Sequence, residues 1–312
     1  MPAAGRPLML CADDFGLSSG IDQAIAGLVR TGRLGAFSCL SNGPAWGDDA
    51  ALAVALRGQA QLGLHFNLTE GRPLSEALSK VWPRLPSLPR LLAQAHLRAL
   101  PMAAIADELA AQWRAFVQAT GAPPDFIDGH QHVHHLPGVR QALLRWLQAQ
   151  PQPTPVRSTA RLGQPSFGIK RWVIERSGGR ALALALAAPG GPHRLLSNSL
   201  LLGMYDFKAD YRPLMQGWLA QVPAEGALLF CHPGGPSSQG DAALSSQGDV
   251  GLSSQGDAAL SSQGDVGLSS QGDAALFDPI AEARVRELAY LASDRFAADL
   301  AAAGVCLAPA WR

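Results

Sequence analysis

The stretch Pro7-Leu8-Met9-Leu10-Cys11-Ala12-Asp13-Asp14-Phe15-Gly16 decides how the rest of the chain is read. A short apolar run, Leu8 to Ala12, ends in two adjacent carboxylates. An unbroken run of that length suits a strand buried on both faces, as in a parallel sheet. In such folds the carboxyl ends of the strands open on one common face, and active sites are assembled there. Asp13 and Asp14 would therefore stand on that face, and the question is what joins them.

Outward from this run, short apolar segments alternate with longer ones of helical period. Candidate strands are Leu8 to Ala12, Ala36 to Leu40, Gln61 to Phe66, Phe126 to Asp128, Pro155 to Arg157, Ala227 to Cys231 and Val305 to Ala308. Helical stretches lie between them at Ser19 to Thr31, Pro101 to Thr120, Pro137 to Gln148 and Pro279 to Ala303. The alternation predicts an α/β fold with a parallel sheet wrapped by helices, and seven strands fit a distorted or incomplete (β/α) barrel. Residues 1–312 are expected to form a single domain.

Composition narrows the function. With 47% hydrophobic and 16% charged residues the chain can build a large core. Its 25 basic and 25 acidic residues cancel, so no electrostatic footprint for nucleic acid or an anionic membrane exists. Cys11, Cys39, Cys231 and Cys306 form no CxxC pair and read as buried thiols, which suits a reducing compartment. The apolar run after Met1 is too short for a signal peptide, and no stretch reaches the roughly 20 apolar residues of a membrane span. A cytoplasmic protein with a small or neutral partner is the expectation.

One segment departs from the pattern. Residues 237–276 are five copies of an eight-residue unit, SSQGDAAL alternating with SSQGDVGL. Such copying reads as tandem duplication inside a loop, a weakly ordered insertion, with a small β-coil or a calcium-binding coil as alternatives. One carboxylate per unit (Asp241, Asp249, Asp257, Asp265, Asp273) is thin for calcium.

Nearly every candidate strand ends in a titratable residue. Asp13 and Asp14 follow the first, His65 closes GLH, and Asp128, His130, His132, His134 and His135 lie in DFIDGHQHVHH. Arg157 ends PVR, and His232 follows LLFC. Singly, each has an ordinary structural reading: an Asx turn, a satisfied core histidine, an arginine in an ion pair. Together on one face, carboxylate oxygens and imidazole nitrogens make a ligand set for a divalent metal. A metal with an open position lowers the pKa of bound water from 15.7 toward about 7, as hydrolysis near neutral pH requires.

The combination CADDFGLSSGIDQAI, GLHFNLTEGRPL, DGHQHVH, PVR and CHPG resembles the YdjC-like carbohydrate deacetylases, which include chitooligosaccharide and hopanoid-associated deacetylases. The resemblance runs from Leu8 to about Gly235 and resumes in Asp278 to Leu300, and it breaks at the repeat block. It implies a distorted (β/α) barrel and one divalent ion held by an Asp and two His: magnesium or zinc first, then manganese, cobalt or nickel. It also implies removal of acetyl groups from N-acetylated sugars. Residue by residue, Asp14, His65 and His130 match the metal ligands and Asp13 the catalytic base. His232 is the candidate acid, with Asn67, His132 and Arg157 expected along the substrate; Arg157 has orienting Asp13 as its alternative task.

Two points depend on backbone shape. Adjacent residues on an extended strand point to opposite sides, so Asp13 and Asp14 can serve one site only if the chain turns between them. If the strand at Phe126 continues, His130, His132 and His134 share one face, and His130 is favoured as nearest its end. The expected partners are a small acetylated sugar or glycolipid and, for assembly, a homodimer, with no nucleic acid. A metal-dependent phosphoesterase and a non-catalytic sugar-binding or scaffold protein are the alternatives; no glycine-rich phosphate loop or second carboxylate set supports the first.

Overall fold

The computed structural model describes residues 5–164, 175–188, 195–235, 278–309 and 311. The octapeptide block at 237–276 lies outside the described residues. Among them, seven strands form one parallel sheet: β1 (Arg6–Phe15), β2 (Ala36–Cys39), β3 (Gln61–Phe66), β4 (Phe126–Gly129), β5 (Leu201–Leu202), β6 (Ala227–Cys231) and β7 (Val305–Leu307). Their order is β4-β3-β2-β1-β6-β5, with β7 paired to the first residues of β1. Single bridges from Ile127 to Val156 and from Val156 to Ser197 link the β4 edge to the segment that leads into β5. The sheet thus curls into a distorted barrel, whose weakest seam is the segment expected as the strand Pro155 to Arg157.

Helices cover the outside: α1 (Ser19–Arg30), α2 (Trp46–Ala55), α3 (Glu76–Val81), α4 (Leu88–His96), α5 (Met102–Thr120), α6 (Val139–Gln148), α7 (Arg180–Ala187), α8 (Tyr211–Gln221), α9 (Ala281–Leu291) and α10 (Asp294–Ala302). In α1 the Ser18 hydroxyl accepts from the Ile21 amide, and Ile21, Ile25, Leu28 and Val29 face the sheet. The helix expected over Pro279 to Ala303 is two: Ser293 sits in extended backbone between α9 and α10. A serine followed by an aspartate in the first turn is a helix start, and here it outweighs the continuous apolar stripe. Cys11, Cys39 and Cys231 are buried as expected, but Cys306 is exposed, because the short β7 pairs only with the outer end of β1.

Side-chain parity along the strands sets up everything at the barrel mouth, since successive residues point to opposite faces. Leu8, Leu10 and Ala12 pack outward under the helices, whereas Met9 and Cys11 join Ala36, Phe126, Leu201, Leu228 and Phe230 in a second cluster inside the barrel. Leu62 and Leu64 of β3, Phe37 of β2, Ile127 of β4, Val156 and Leu229 of β6 belong to the outer cluster. Counting on from these, Asp13, Ser38, His65, Asp128, Arg157 and His232 all have inward parity. Gly63 also faces in, and a Cβ there would fall on the Phe126 ring. No helix among the described residues is long and apolar enough to cross a membrane.

Candidate active site

Asp14 lacks inward parity, and its backbone resolves the difficulty. It adopts φ 71°, a left-handed conformation uncommon for a non-glycine residue, where the β1–β2 register shifts. The turn brings Asp14 to the same mouth as Asp13, as one shared site demands. Strain of this kind costs about 1–3 kcal/mol and persists where the surroundings over-determine it. Here Arg284 Nη2 donates to Asp14 Oδ2 at 2.7 Å, while Oδ1 lies 2.9 Å from His130 Nδ1 and 3.4 Å from His65 Nε2.

Asp14, His65 and His130 are all buried, and one ligand atom of each lies within 4.8 Å of the others. The His65 ring is oriented from behind: its Nδ1 lies 2.7 Å from Asp128 Oδ1 and 3.0 Å from Ser38 Oγ, which leaves Nε2 facing Asp14. Burial alone would lower the His65 pKa, but Asp128 and Asp13 outweigh it and push it up to about 10. His130 is likewise raised to about 9 against burial, by Asp14 and by Glu70, whose Oε1 is 3.1 Å from Nε2. Burial would raise Asp14, yet Arg284 and His130 hold it well below the usual carboxylate range. Asp14, Asp13, Asp128 and Glu70 surround these imidazoles with carboxylate oxygens, the hard donors that a divalent cation takes beside imidazole nitrogen. Donor types, convergence and the oriented histidine therefore fit a divalent ion with an open position.

A second cluster lies beside the first. Cys11, Asp13 and Asp128 also offer converging ligand atoms, but a guanidinium already occupies the middle. Arg157 donates to Asp13 Oδ2 at 2.7 Å and Oδ1 at 2.6 Å, lies 2.5 Å from Asp128 Oδ2 and 3.3 Å from Cys11 Sγ. Burial would raise Asp13, but Arg157 and His65 depress it far below the carboxylate norm, so it stays ionised. Arg157 is fully buried with its guanidinium held by carboxylates. The paired contact orients Asp13, the alternative task named for Arg157 above.

The HQHVHH run does not continue β4. The strand ends at Gly129 and the next six residues form a 3-10 turn, with Gln131 and His132 at φ 51° and 60°. Gly129 is required there, since a Cβ would meet the His134 ring and backbone. The face expected to carry His130, His132 and His134 together does not exist. His130 turns to Asp14; His134 Nε2 donates to the Arg157 carbonyl at 2.9 Å, and His135 lies 2.9 Å from Thr159 Oγ1 and 2.8 Å from Ser177 Oγ. His134 and His135 thus stitch the weak seam on which Arg157 sits. His132 stands over Phe230, ring centroids 5.2 Å apart, with Nδ1 buried and unpaired.

Asn67, also expected along the substrate, is 2% exposed. Its Oδ1 accepts from the Thr69 and Glu70 amides, and its Nδ2 donates to the Glu70 carbonyl and Asn42 Oδ1. The amide holds the loop that carries Glu70 to His130 instead of facing a ligand. Around His232, Phe207 and Phe230 stand edge-on at 5.3 and 5.5 Å, and Nδ1 has no partner. Burial pushes it down to about 4, against the pull of Asp14 and Asp13, so the ring is neutral near pH 7.

Sequence reasoning missed Glu70, Ser38, Arg284 and Glu287. The last two were detectable, being oppositely charged residues three apart on the inner side of a helix read as an apolar stripe; they are 4% and 0% exposed.

The comparisons with known proteins agree with this geometry. A mouse protein named carbohydrate deacetylase is 32% identical over 256 residues, 74% of this chain and 78% of that one. A Salmonella schwarzengrund chitooligosaccharide deacetylase is 32% identical over 185 residues, covering 52% and 70% of the two chains. A crystal structure of a protein from Enterococcus faecalis V583, provisionally named a cellobiose-phosphate cleavage protein, superposes with a TM-score of 0.61 over 98% of both chains; at 18% identity it speaks to fold alone. Residues 7–302 match the YdjC-like protein family. Spanning the sheet from β1 to β6 and every strand-end residue described above, that match places the chain in the YdjC-like family.

Proposed function

We propose that the protein is a metal-dependent hydrolase that removes the acetyl group from an N-acetylated amino sugar, on an oligosaccharide or a glycolipid such as a hopanoid precursor. The observation that carries this reading is the convergence of Asp14, His65 and His130 between an ionised carboxylate, Asp13, and a neutral imidazole, His232. A divalent ion held by the triad, magnesium or zinc before manganese, cobalt or nickel, would polarise the acetamide carbonyl and acidify water. Asp13, fixed by both arms of Arg157, accepts the proton of the attacking water. His232, neutral at rest, would take up the proton that Asp13 removes from the water and pass it to the departing amine as charge builds there. His132, standing over Phe230 beside this pair, would line the substrate cleft. The products are acetate and a free amino sugar.

The two-metal phosphoesterase alternative loses support, because Arg157 fills the cluster that a second ion would need. The deciding experiment measures the metal content of purified protein, then acetate release from chitooligosaccharides, N-acetylglucosaminyl lipids and glycosylated hopanoid precursors. Stoichiometric metal with acetate release from one class is expected. Metal-loaded protein that releases no acetate from any of them would overturn the reading.

A further inference from the structure

Helix α9 puts a second buried carboxylate behind the site. Glu287 is 0% exposed; its Oε2 accepts from the His232 amide and its Oε1 from the Tyr205 hydroxyl, both at 2.6 Å. Tyr205 in turn packs on Phe207, centroids 4.8 Å apart, and Phe207 stands edge-on to the His232 ring. Phe207 holds φ 64°, the left-handed region again in a bulky residue. Gly203, which starts this segment at φ 106°, admits no side chain, because a Cβ would lie on the Phe230 backbone. The Gly234 amide donates to the Arg284 carbonyl at 3.3 Å, so the chain on both sides of Pro233 rests on α9.

These contacts have a common result. The His232 ring makes no hydrogen bond through Nδ1, so nothing on the ring itself sets its direction. Its main chain is fixed by Glu287 and its faces are bounded by Phe207 and Phe230. A group that must meet a departing nitrogen within hydrogen-bond reach needs such a mount, because misplacement by about 1 Å can cost 10²-fold. We propose that Glu287 is a positioning residue for His232, acting through the His232 main chain and, by way of Tyr205, through Phe207. This inference rests on the deacetylase reading with His232 as the acid.

A carboxylate suits the position because two donors converge on it and it accepts both, whereas an amide that accepts from the His232 N–H must donate to the Tyr205 hydroxyl, which reverses that bond and frees the hydroxyl proton. The test uses the full chain as Glu287→Gln, Phe207→Ala and His232→Ala, with melting temperature and bound metal measured for each. Two substrates are compared: an N-acetylated chitooligosaccharide, whose amine needs an acid, and 4-nitrophenyl acetate, whose leaving group does not. For Glu287→Gln the expected result is kcat on the amide down about 10- to 100-fold. Ester turnover should change less than about threefold on the same reasoning, with KM and metal content unchanged. Phe207→Ala, at a half-buried position, should repeat the amide-selective loss in protein whose melting curve shows it folded.

Equal losses on both substrates, or an amide loss explained by metal loss, would overturn the proposal while leaving the deacetylase reading intact. Absence of the amide-selective loss in His232→Ala would remove the acid role itself, and with it the mount. Wild-type protein that releases no acetate would fail the underlying reading instead.

Discussion

Asp128→Asn is the sharpest test of how the triad is prepared for a metal. Asp128 Oδ1 lies 2.7 Å from His65 Nδ1, and Oδ2 lies 2.5 Å from Arg157 Nη2. An asparagine has one oxygen for these two tasks, and the buried guanidinium takes it, since a donor cannot face a full positive charge. The amide NH2 then faces His65 Nδ1, which must become the acceptor. The imidazole proton moves to Nε2, the nitrogen 3.4 Å from Asp14, and the lone pair meant for the metal is lost. Losing an orienting partner typically costs 10–100-fold in metal affinity, and a reversed tautomer belongs at the upper end, about 2.7 kcal/mol. Zinc titration calorimetry on metal-free protein reads the change directly. Arg157 keeps both bonds to Asp13, so the fold should survive, as a melting curve would show. Zinc affinity within threefold of wild type in a folded variant would refute the argument.

Ala at Asp14, His65 or His130 should each drop bound metal to background by elemental analysis without unfolding the chain; full metal in all three variants would dissolve the ligand assignment. Asp13→Asn should retain metal yet lose about 10²–10⁴ in kcat, because the amide keeps the shape but cannot take a proton, and near-normal turnover would remove Asp13 as base. Asp22 is fully buried, accepts from the Gly16 amide through Oδ1, leaves Oδ2 unpaired, and is pushed by burial up to about 8. The folded state therefore keeps a proton that the unfolded chain releases near pH 4, and stability declines as pH rises from there toward 8. In Asp22→Asn the melting-temperature difference between pH 5 and pH 8 should shrink, and an undiminished difference would contradict the assignment. Gly63→Ala should destabilise by about 1–3 kcal/mol in urea unfolding, because its Cβ would lie 2.3 Å from Phe126 ring atoms; an unchanged midpoint would mean that the ring moves freely.

The strand ends were legible because buried parallel strands are written as continuous apolar runs, and Gln61 to Phe66 and Ala227 to Cys231 match the observed strands to the residue. β5 was not, since two residues held by neighbours carry no pattern of their own. Metal-site candidates could be collected from residue type and strand position, but the tasks of the histidines could not. His134 and His135 differ from His130 through a left-handed turn at Gln131 and His132 that no periodicity announces. Asn67 shows the same limit: an amide beside a catalytic histidine reads as a substrate contact until its hydrogen bonds are traced. Arg284 and Glu287 show in the sequence as paired charges on a helix, but their targets do not, since they reach Asp14 and His232 from 270 and 55 positions away.

The arginines at the barrel mouth bear on how the protein would fare without a bound ion. Asp13 and Asp128 share the charge of Arg157 from inside, and Asp14 faces Arg284. Part of the charge on these carboxylates is thus balanced by groups that are covalently part of the chain and cannot be removed by a chelator. Small domains that borrow their neutrality from a metal collapse when it leaves, because the freed ligands repel one another. This barrel should instead keep its shape through a period of metal starvation, idle but assembled, and resume work when the ion returns. Its dependence on a metal would then be a matter of turnover and not of survival, so the cell could regulate it by ion supply without having to make it again.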